Sequence, residues 1–177
     1  VKIDLSKIER EPLSFVEDLH LDSQRFDADR VSEAMAVRLE GEIRSVGERF
    51  AVSGEARAHG RISCGRCLKP VAWDSTSSFS MEVAMVEAAP LDAEVALDDG
   101  DLDVVFLEEP CLDLEELAVE QIMLELPIRV LCTEDCAGLC PSCGADLNEG
   151  GACGCEPDTD PRWEALAGVE GRPSDDN

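Results

Sequence analysis

MAVRLEGEIRSVGERFAVSGEARAHGRISCGRCLKPVAWDSTSSFSMEVAM, residues 35 to 85, is the stretch on which the architecture turns. Its apolar residues recur at every second position: Met35, Val37, Leu39 and Ile43; then Phe50, Val52, Ala56, Ala58, Ile62 and Cys64; then Val71, Trp73, Phe79, Met81, Val83 and Met85. Neighbouring side chains of a strand point to opposite faces, so this alternation predicts three half-buried strands. The connections are short, Ser45-Val46-Gly47-Glu48 and Cys64-Gly65-Arg66-Cys67-Leu68-Lys69-Pro70, as an antiparallel meander requires.

Outward from this centre, Val1 to Ile8 and Leu13 to Leu21 are expected to add edge strands, and Asp103 to Leu107 one more short strand. Ala88 to Gly100 reads as an acidic, mobile loop. Asp113 is placed to cap a helix of about 13 residues, with Glu115 and Glu116 in the first turn, where the helix dipole favours anions. Leu114, Leu117, Ile122 and Leu124 to Leu126 form its apolar stripe, and Pro127 stops it. The fold class is therefore α+β: an antiparallel meander or small barrel-like sheet with one main packed helix and a Cys-rich, zinc-binding C-terminal subdomain. The expected division is a sheet-and-helix domain over residues 1–127, a zinc-knuckle subdomain over 128–167 and a disordered tail over 168–177, with Trp163 anchoring a helical turn or two.

A chain of 177 residues suits one core with appended loops. It carries 40 acidic and 15 basic residues, net −25, yet is 44% apolar, enough to build a core. The imbalance is uneven, net −3 over residues 1–86 and net −22 over 87–177. Binding a phosphate backbone depends on Lys and Arg displacing counterions, so most of this surface is unsuited to RNA, and basic partners are electrostatically easier. No apolar run approaches the roughly 20 residues of a membrane span, and the start, Val1-Lys2-Ile3-Asp4-Leu5, lacks a signal peptide's apolar stretch. A cytoplasmic location is expected.

In a reducing compartment nine cysteines argue for metal or redox chemistry rather than for a disulfide framework. Cys140-Pro-Ser-Cys143-Gly has the form of a zinc knuckle, followed by Cys153-x-Cys155 and preceded by Cys132-x3-Cys136. A second pair, Cys64-Gly-Arg-Cys67, lies between two predicted strands. Zinc takes four thiolates tetrahedrally, which suggests Cys140, Cys143, Cys153 and Cys155 on one ion and Cys64, Cys67, Cys132 and Cys136 on another. Few large apolar residues follow Pro127, so metal would replace burial as the ordering force there. A site closed by four thiolates has no open position at which to activate water. Dithiol redox chemistry and an iron–sulfur cluster are the competing readings; the first is opposed by the absence of a strand-then-helix context that would lower a thiol pKa. Cys111 reads as a buried thiol, and the isolated His20 and His59 as surface or packing residues.

Ile62-Ser63-Cys64-Gly65-Arg66-Cys67-Leu68-Lys69-Pro70, Leu126-Pro127, the run from Cys132 through Cys140-Pro-Ser-Cys143-Gly-Ala-Asp-Leu to Asn148, and Asp160-Pro-Arg-Trp163 occur in one order. Together they resemble the YceD-type large ribosomal RNA subunit accumulation proteins, over roughly residues 1–167. The resemblance implies a bacterial cytoplasmic protein without catalytic activity, needed for accumulation of 23S ribosomal RNA. The family's hallmark pair matches Cys64 and Cys67, while the longer C-terminal cluster belongs to some branches only. The expected partners are a basic large-subunit ribosomal protein, a ribosomal RNA precursor, or both, with no membrane and no small-molecule substrate. Arg57, Arg61, Arg66 and Lys69 near the knuckle are the candidate RNA contacts. The rival functions are a thiol-disulfide oxidoreductase and an acidic chaperone for a single ribosomal protein.

Overall fold

The computed structural model describes residues 1–26, 30–86, 104–150, 153–155 and 162. The acidic loop expected over residues 88–100, Trp163 and the C-terminal tail lie outside the described residues. Five strands form the main sheet in the order β2-β3-β4-β5-β6, and the separate pair β1 (Lys2–Asp4) and β7 (Cys111–Asp113) is antiparallel. β2 (Leu13–Leu21), β3 (Met35–Val46), β4 (Arg49–Ser63) and β5 (Pro70–Met85) run antiparallel in sequence order, as the alternation requires. β3 passes to β4 through Gly47 and Glu48 alone, and Gly47 takes φ +64°, the left-handed region that glycine enters without a Cβ clash.

The expected sheet-and-helix fold class is present, with two refinements. β6 (Val104–Leu107) pairs with β5 in parallel, so the sheet is not a pure meander. A parallel neighbour needs a crossover of a dozen or more residues, and residues 86–103 supply that length. The run from Val1, expected at an edge of the main sheet, instead gives three residues of strand paired with β7.

The sheet curls into a half-barrel, and its bend has a specific cause. Phe15, Gly41, Gly54 and Phe79 occupy one transverse row across β2 to β5. A Cβ on Gly54 would lie 2.2 Å from the Glu40 carbonyl oxygen and 2.8 Å from both Gly41 Cα and the Phe79 ring. The two glycines let adjacent strands approach and bend, while the flanking phenylalanines cover the space where side chains are missing.

α1 (Leu114–Glu125) packs across the inner face of the sheet. The Asp113 carboxylate accepts from Glu115 N–H at 2.9 Å, the expected cap, and Glu115 and Glu116 sit in the first turn. The buried stripe is Leu114, Leu117, Ala118 and Ile122, continued by Leu126. Leu124 departs from expectation: it is 79% exposed because the stripe follows the helical period and 124 falls off it. The core gathers this stripe with Met35, Leu39, Ile43, Val52 and Val83 from the strands. At the helix end Arg30 donates to the Leu126 and Pro127 carbonyl oxygens, satisfying acceptors that the helix leaves free.

Candidate metal centres

The loop between β4 and β5 closes on itself with a fixed backbone pattern. Cys64 N–H donates to the Lys69 carbonyl at 2.9 Å, and Leu68 N–H to the Cys64 carbonyl at 3.0 Å. Residues 140–145 repeat the pattern: Cys140 N–H donates to Ala145 O at 2.8 Å, and Gly144 N–H to Cys140 O at 2.8 Å. Each loop therefore presents two thiols on one side of a tight turn, with N–H groups directed towards the sulfurs. The residue after the second cysteine is left-handed in both, Gly144 at φ +73° and Leu68 at φ +61°. Glycine adopts that conformation freely, whereas an L side chain is strained there by about 1–2 kcal/mol.

The eight thiols gather in two sets of four, the sets expected from their spacing. The sulfurs of Cys64, Cys67, Cys132 and Cys136 lie within 4.8 Å of one another, and so do those of Cys140, Cys143, Cys153 and Cys155. Within the first set Cys64 and Cys136 are 3.8 Å apart and Cys67 and Cys132 3.5 Å, well beyond a disulfide bond. Four sulfurs at about 2.3 Å from a tetrahedral zinc would be separated by about 3.8 Å, so these residues fit that ion. The sites differ in exposure: Cys64, Cys67 and Cys136 are buried, whereas Cys143, Cys153 and Cys155 are exposed and only Cys140 is buried. Cys111 is half-buried and stands apart from both sets.

Electrostatics within each set are divided. Burial pushes the Cys64 thiol up, but N–H groups of Cys67, Arg66 and Cys132 outweigh it and bring it down to about 6. Around Cys67 the Lys69 N–H lowers the thiol, while burial and the neighbouring Cys132, Cys64 and Cys136 push it up to about 12. The N–H of Cys143, the Cys153 thiol and the Ser142 N–H lower Cys140 to about 6, and Cys143 and Cys153 raise Cys155 to about 12. Thiolates packed this closely repel, so one ionises at its neighbours' expense. A divalent cation would remove that conflict and release protons on binding.

The two sites form one unit. Only Ala137, Gly138 and Leu139 separate Cys136 of the first from Cys140 of the second. Arg66 clamps this link, its guanidinium donating to the Cys136 carbonyl at 2.6 Å while its own carbonyl accepts from Leu139 N–H at 3.1 Å. Gly138 sits against Arg66 O at φ +81°, where a Cβ would come within 3.0 Å. Lys69 Nζ meets Asp146 at 2.7 Å and Glu149 at 3.3 Å, which hold its pKa up and bring Asp146 down to about 2. Asn148 Oδ1 accepts from Ala137 N–H at 2.7 Å, and its amide binds Asp146. Gly65 N–H donates to Val130 O at 2.8 Å, docking the segment after α1 onto the first knuckle.

The candidate RNA contacts separate into two groups. Arg57 pairs with Glu55 and Glu40, and Arg61 with Glu33, on the outer face of β4. Arg66 and Lys69 brace the second knuckle while remaining exposed. His20 and His59 share a transverse row with Ala36 on the outer face, and His59 is hydrogen-bonded to Asp74. The sequence gives the brace residues Asp146, Asn148 and Gly138 no role beyond their place in the run from Cys132 to Asn148. Asp146-Leu-Asn148 following a knuckle was the available signal, since short polar side chains bond neighbouring backbone in turns.

The model of the family described as large ribosomal RNA subunit accumulation protein YceD matches residues 52–170, more than half of the chain. An uncharacterized protein of Mycobacterium tuberculosis is 32% identical over 152 residues, spanning 82% of this chain and 67% of that protein. The Mycobacterium bovis counterpart gives the same figures, 32% over 82% and 67%. A maize protein named large ribosomal RNA subunit accumulation protein YCED homolog 1, chloroplastic, is 26% identical over 146 residues, spanning 68% of this chain and 49% of its own length. No solved structure matches the chain.

Proposed function

From the premise that the chain belongs to the YceD family of large ribosomal RNA subunit accumulation proteins, we propose that it is a non-catalytic factor supporting assembly of the large ribosomal subunit and accumulation of its RNA. The observation that carries this reading is the use of eight thiols in two closed sets inside a family named for that role. Four sulfurs fill a tetrahedral coordination shell, so an ion held by either set has no position for a substrate or an activated water. We assign zinc to both sites, in a structural role, with Cys64, Cys67, Cys132 and Cys136 holding one ion and Cys140, Cys143, Cys153 and Cys155 the other. What zinc supplies is cohesion: the region around the first site has a small core of Cys64, Cys67 and Cys136 with half-buried Val71, Leu131 and Leu139 beside it.

The proposed partners are a basic large-subunit ribosomal protein, precursor ribosomal RNA, or both, in the cytoplasm. The exposed acids of α1, Glu116, Glu120 and Glu125, favour a basic protein on that side. No helix among the described residues is long and apolar enough to cross a membrane. The test is sedimentation of tagged full-length protein from cells at low salt. Co-migration with large-subunit precursors, and depletion of 23S RNA when the protein is removed, is the expected result; absence from every precursor fraction refutes the proposal. Dithiol exchange by the zinc-loaded protein would instead favour the oxidoreductase reading.

A further inference from the structure

At the first knuckle a groove runs between the β4–β5 loop and the segment after α1, with Leu68 and Ile128 on its sides and Ile62 and Leu126 at its floor. Ile128 is fully exposed and Leu68 is 60% exposed. Leu68 also holds the strained left-handed position that the sister knuckle gives to Gly144. Glycine would serve the fold at least as well there, so a large apolar side chain at this strained position points to a contact made by that side chain.

Charge identifies what the groove suits. The chain has 40 acids and 15 bases, yet among the described residues the groove is lined by Arg30 and Arg129 and by no acidic residue. Among residues 1–150 described by the structure, the only Lys and Arg residues without a carboxylate partner are Arg10, Arg30, Arg66 and Arg129. Three of those four are at this end: Arg30 and Arg129 on the groove and Arg66 in the knuckle loop beside it. Arg30 is occupied by the helix-end carbonyls and Arg66 by Cys136 O, whereas Arg129 is exposed.

Resting on the proposed role in RNA accumulation, we propose that this groove is the RNA contact of the protein and takes an unpaired nucleotide of a single strand. The base lies against Leu68 and Ile128, and the Arg129 guanidinium meets the adjoining phosphate. Single-stranded RNA suits such a place because its unstacked bases offer an apolar face beside an anion, and guanidinium is planar and forked to match phosphate. A basic ribosomal protein would meet repulsion from Arg129 and has the acidic face of α1 available instead. A duplex has no free base face to offer.

The test uses the full-length, zinc-loaded protein with short fluorescein-labelled oligouridylate and oligoadenylate, and an RNA duplex for comparison, followed by fluorescence anisotropy at several salt concentrations. The variants are Leu68→Gly, Ile128→Ser and Arg129→Gln, each checked for retained zinc. Single strands are expected to bind better than duplex. Leu68→Gly and Ile128→Ser are expected to weaken binding about fivefold each, the order that loss of a partly buried aliphatic contact gives. Arg129→Gln should lower the slope of log affinity against log salt by about 1. Equal binding by all three zinc-retaining variants and the wild type overturns the proposal. Loss of a basic ribosomal protein's binding in those variants, with RNA affinity held, overturns it in favour of a protein site. Crosslinking in cells, which needs no variant, should place RNA on peptides containing residues 62–69 or 124–130. Co-sedimentation with precursors but crosslinks only elsewhere sinks this inference and leaves the assembly role standing, whereas failure to co-sediment removes the assembly role itself.

Discussion

Gly54→Ala isolates the cause of the sheet's curl with one methyl group. The added Cβ would face the Glu40 carbonyl oxygen at 2.2 Å and Gly41 Cα at 2.8 Å, both main-chain atoms of the adjacent strand. Real Cβ contacts do not come under 3.0 Å, so β3 and β4 must part by several tenths of an ångström in the middle of their ladder. Overpacking of this kind costs typically 1–3 kcal/mol, and a chain of this size loses about 2–4 °C of Tm for each kcal/mol. A fall of about 2–12 °C is therefore expected in thermal unfolding of the zinc-loaded protein. Gly47→Ala is the control: nothing lies within 4 Å of its Cβ, and only the strain of φ +64° remains, about 1–2 kcal/mol. The Phe79 ring is also 2.8 Å from the Gly54 Cβ position, so truncating Phe79 should partly relieve the clash and make the double variant less than additive. Zinc content should stay unchanged, since the cysteines sit elsewhere. A Gly54→Ala protein as stable as the wild type would refute the glycine origin of the curl.

Further expectations concern the paired sites. Cys136→Ser and Cys153→Ser should each lower bound zinc from two ions to one per chain by elemental analysis, and Cys136→Ser should reduce thermal stability more, because its sulfur is fully buried in the first site. A chelator titration should strip the second site faster than the first, since three of its four thiols are exposed; a thiol-reactive dye reporting a single rate for both sets contradicts this. Lys69→Met should leave the first site loaded but raise protease cleavage between residues 140 and 150, because Lys69 ties Asp146 and Glu149 to the first knuckle. That difference should shrink in high salt, as an exposed ion pair is screened.

Period two along residues 35–85 was enough to read β3, β4 and β5, because one face of each is buried and register is then strongly constrained. The grouping of the thiols was legible for a similar reason, since tetrahedral coordination restricts which cysteines can meet. The expected barrel-like form is present as a half-barrel, but the residues that cause its bend are not legible in the sequence. Gly41 and Gly54 interrupt an apolar count, and their meaning appears only when register sets them side by side with Phe15 and Phe79. Leu124 shares the apolar character of the helical stripe but not its angular position, and only the latter decides burial. The parallel sense of β6 depends on which end of the sheet the chain enters from, a fact that a four-residue strand does not encode. The tie from Lys69 to Asp146 joins two knuckles far apart in sequence, and each charge by itself reads as ordinary surface.

The repeated knuckle gives the asymmetry of the two sites a physical origin. Both loops use the same backbone hydrogen bonds, so local geometry does not distinguish them. The difference lies in what surrounds each loop. The first is the connection between two strands of 15 and 16 residues and receives Val130 from the segment after α1, so its sulfurs are enclosed by parts of the chain that the sheet already orders. The second hangs on the first through Arg66, Lys69 and Gly138, without a strand of its own among the described residues. Order therefore passes from sheet to first site to second site. It follows that loss of metal from the second site should leave the Leu68–Ile128 groove intact, whereas loss from the first should open the groove's lining at Cys64 together with the site.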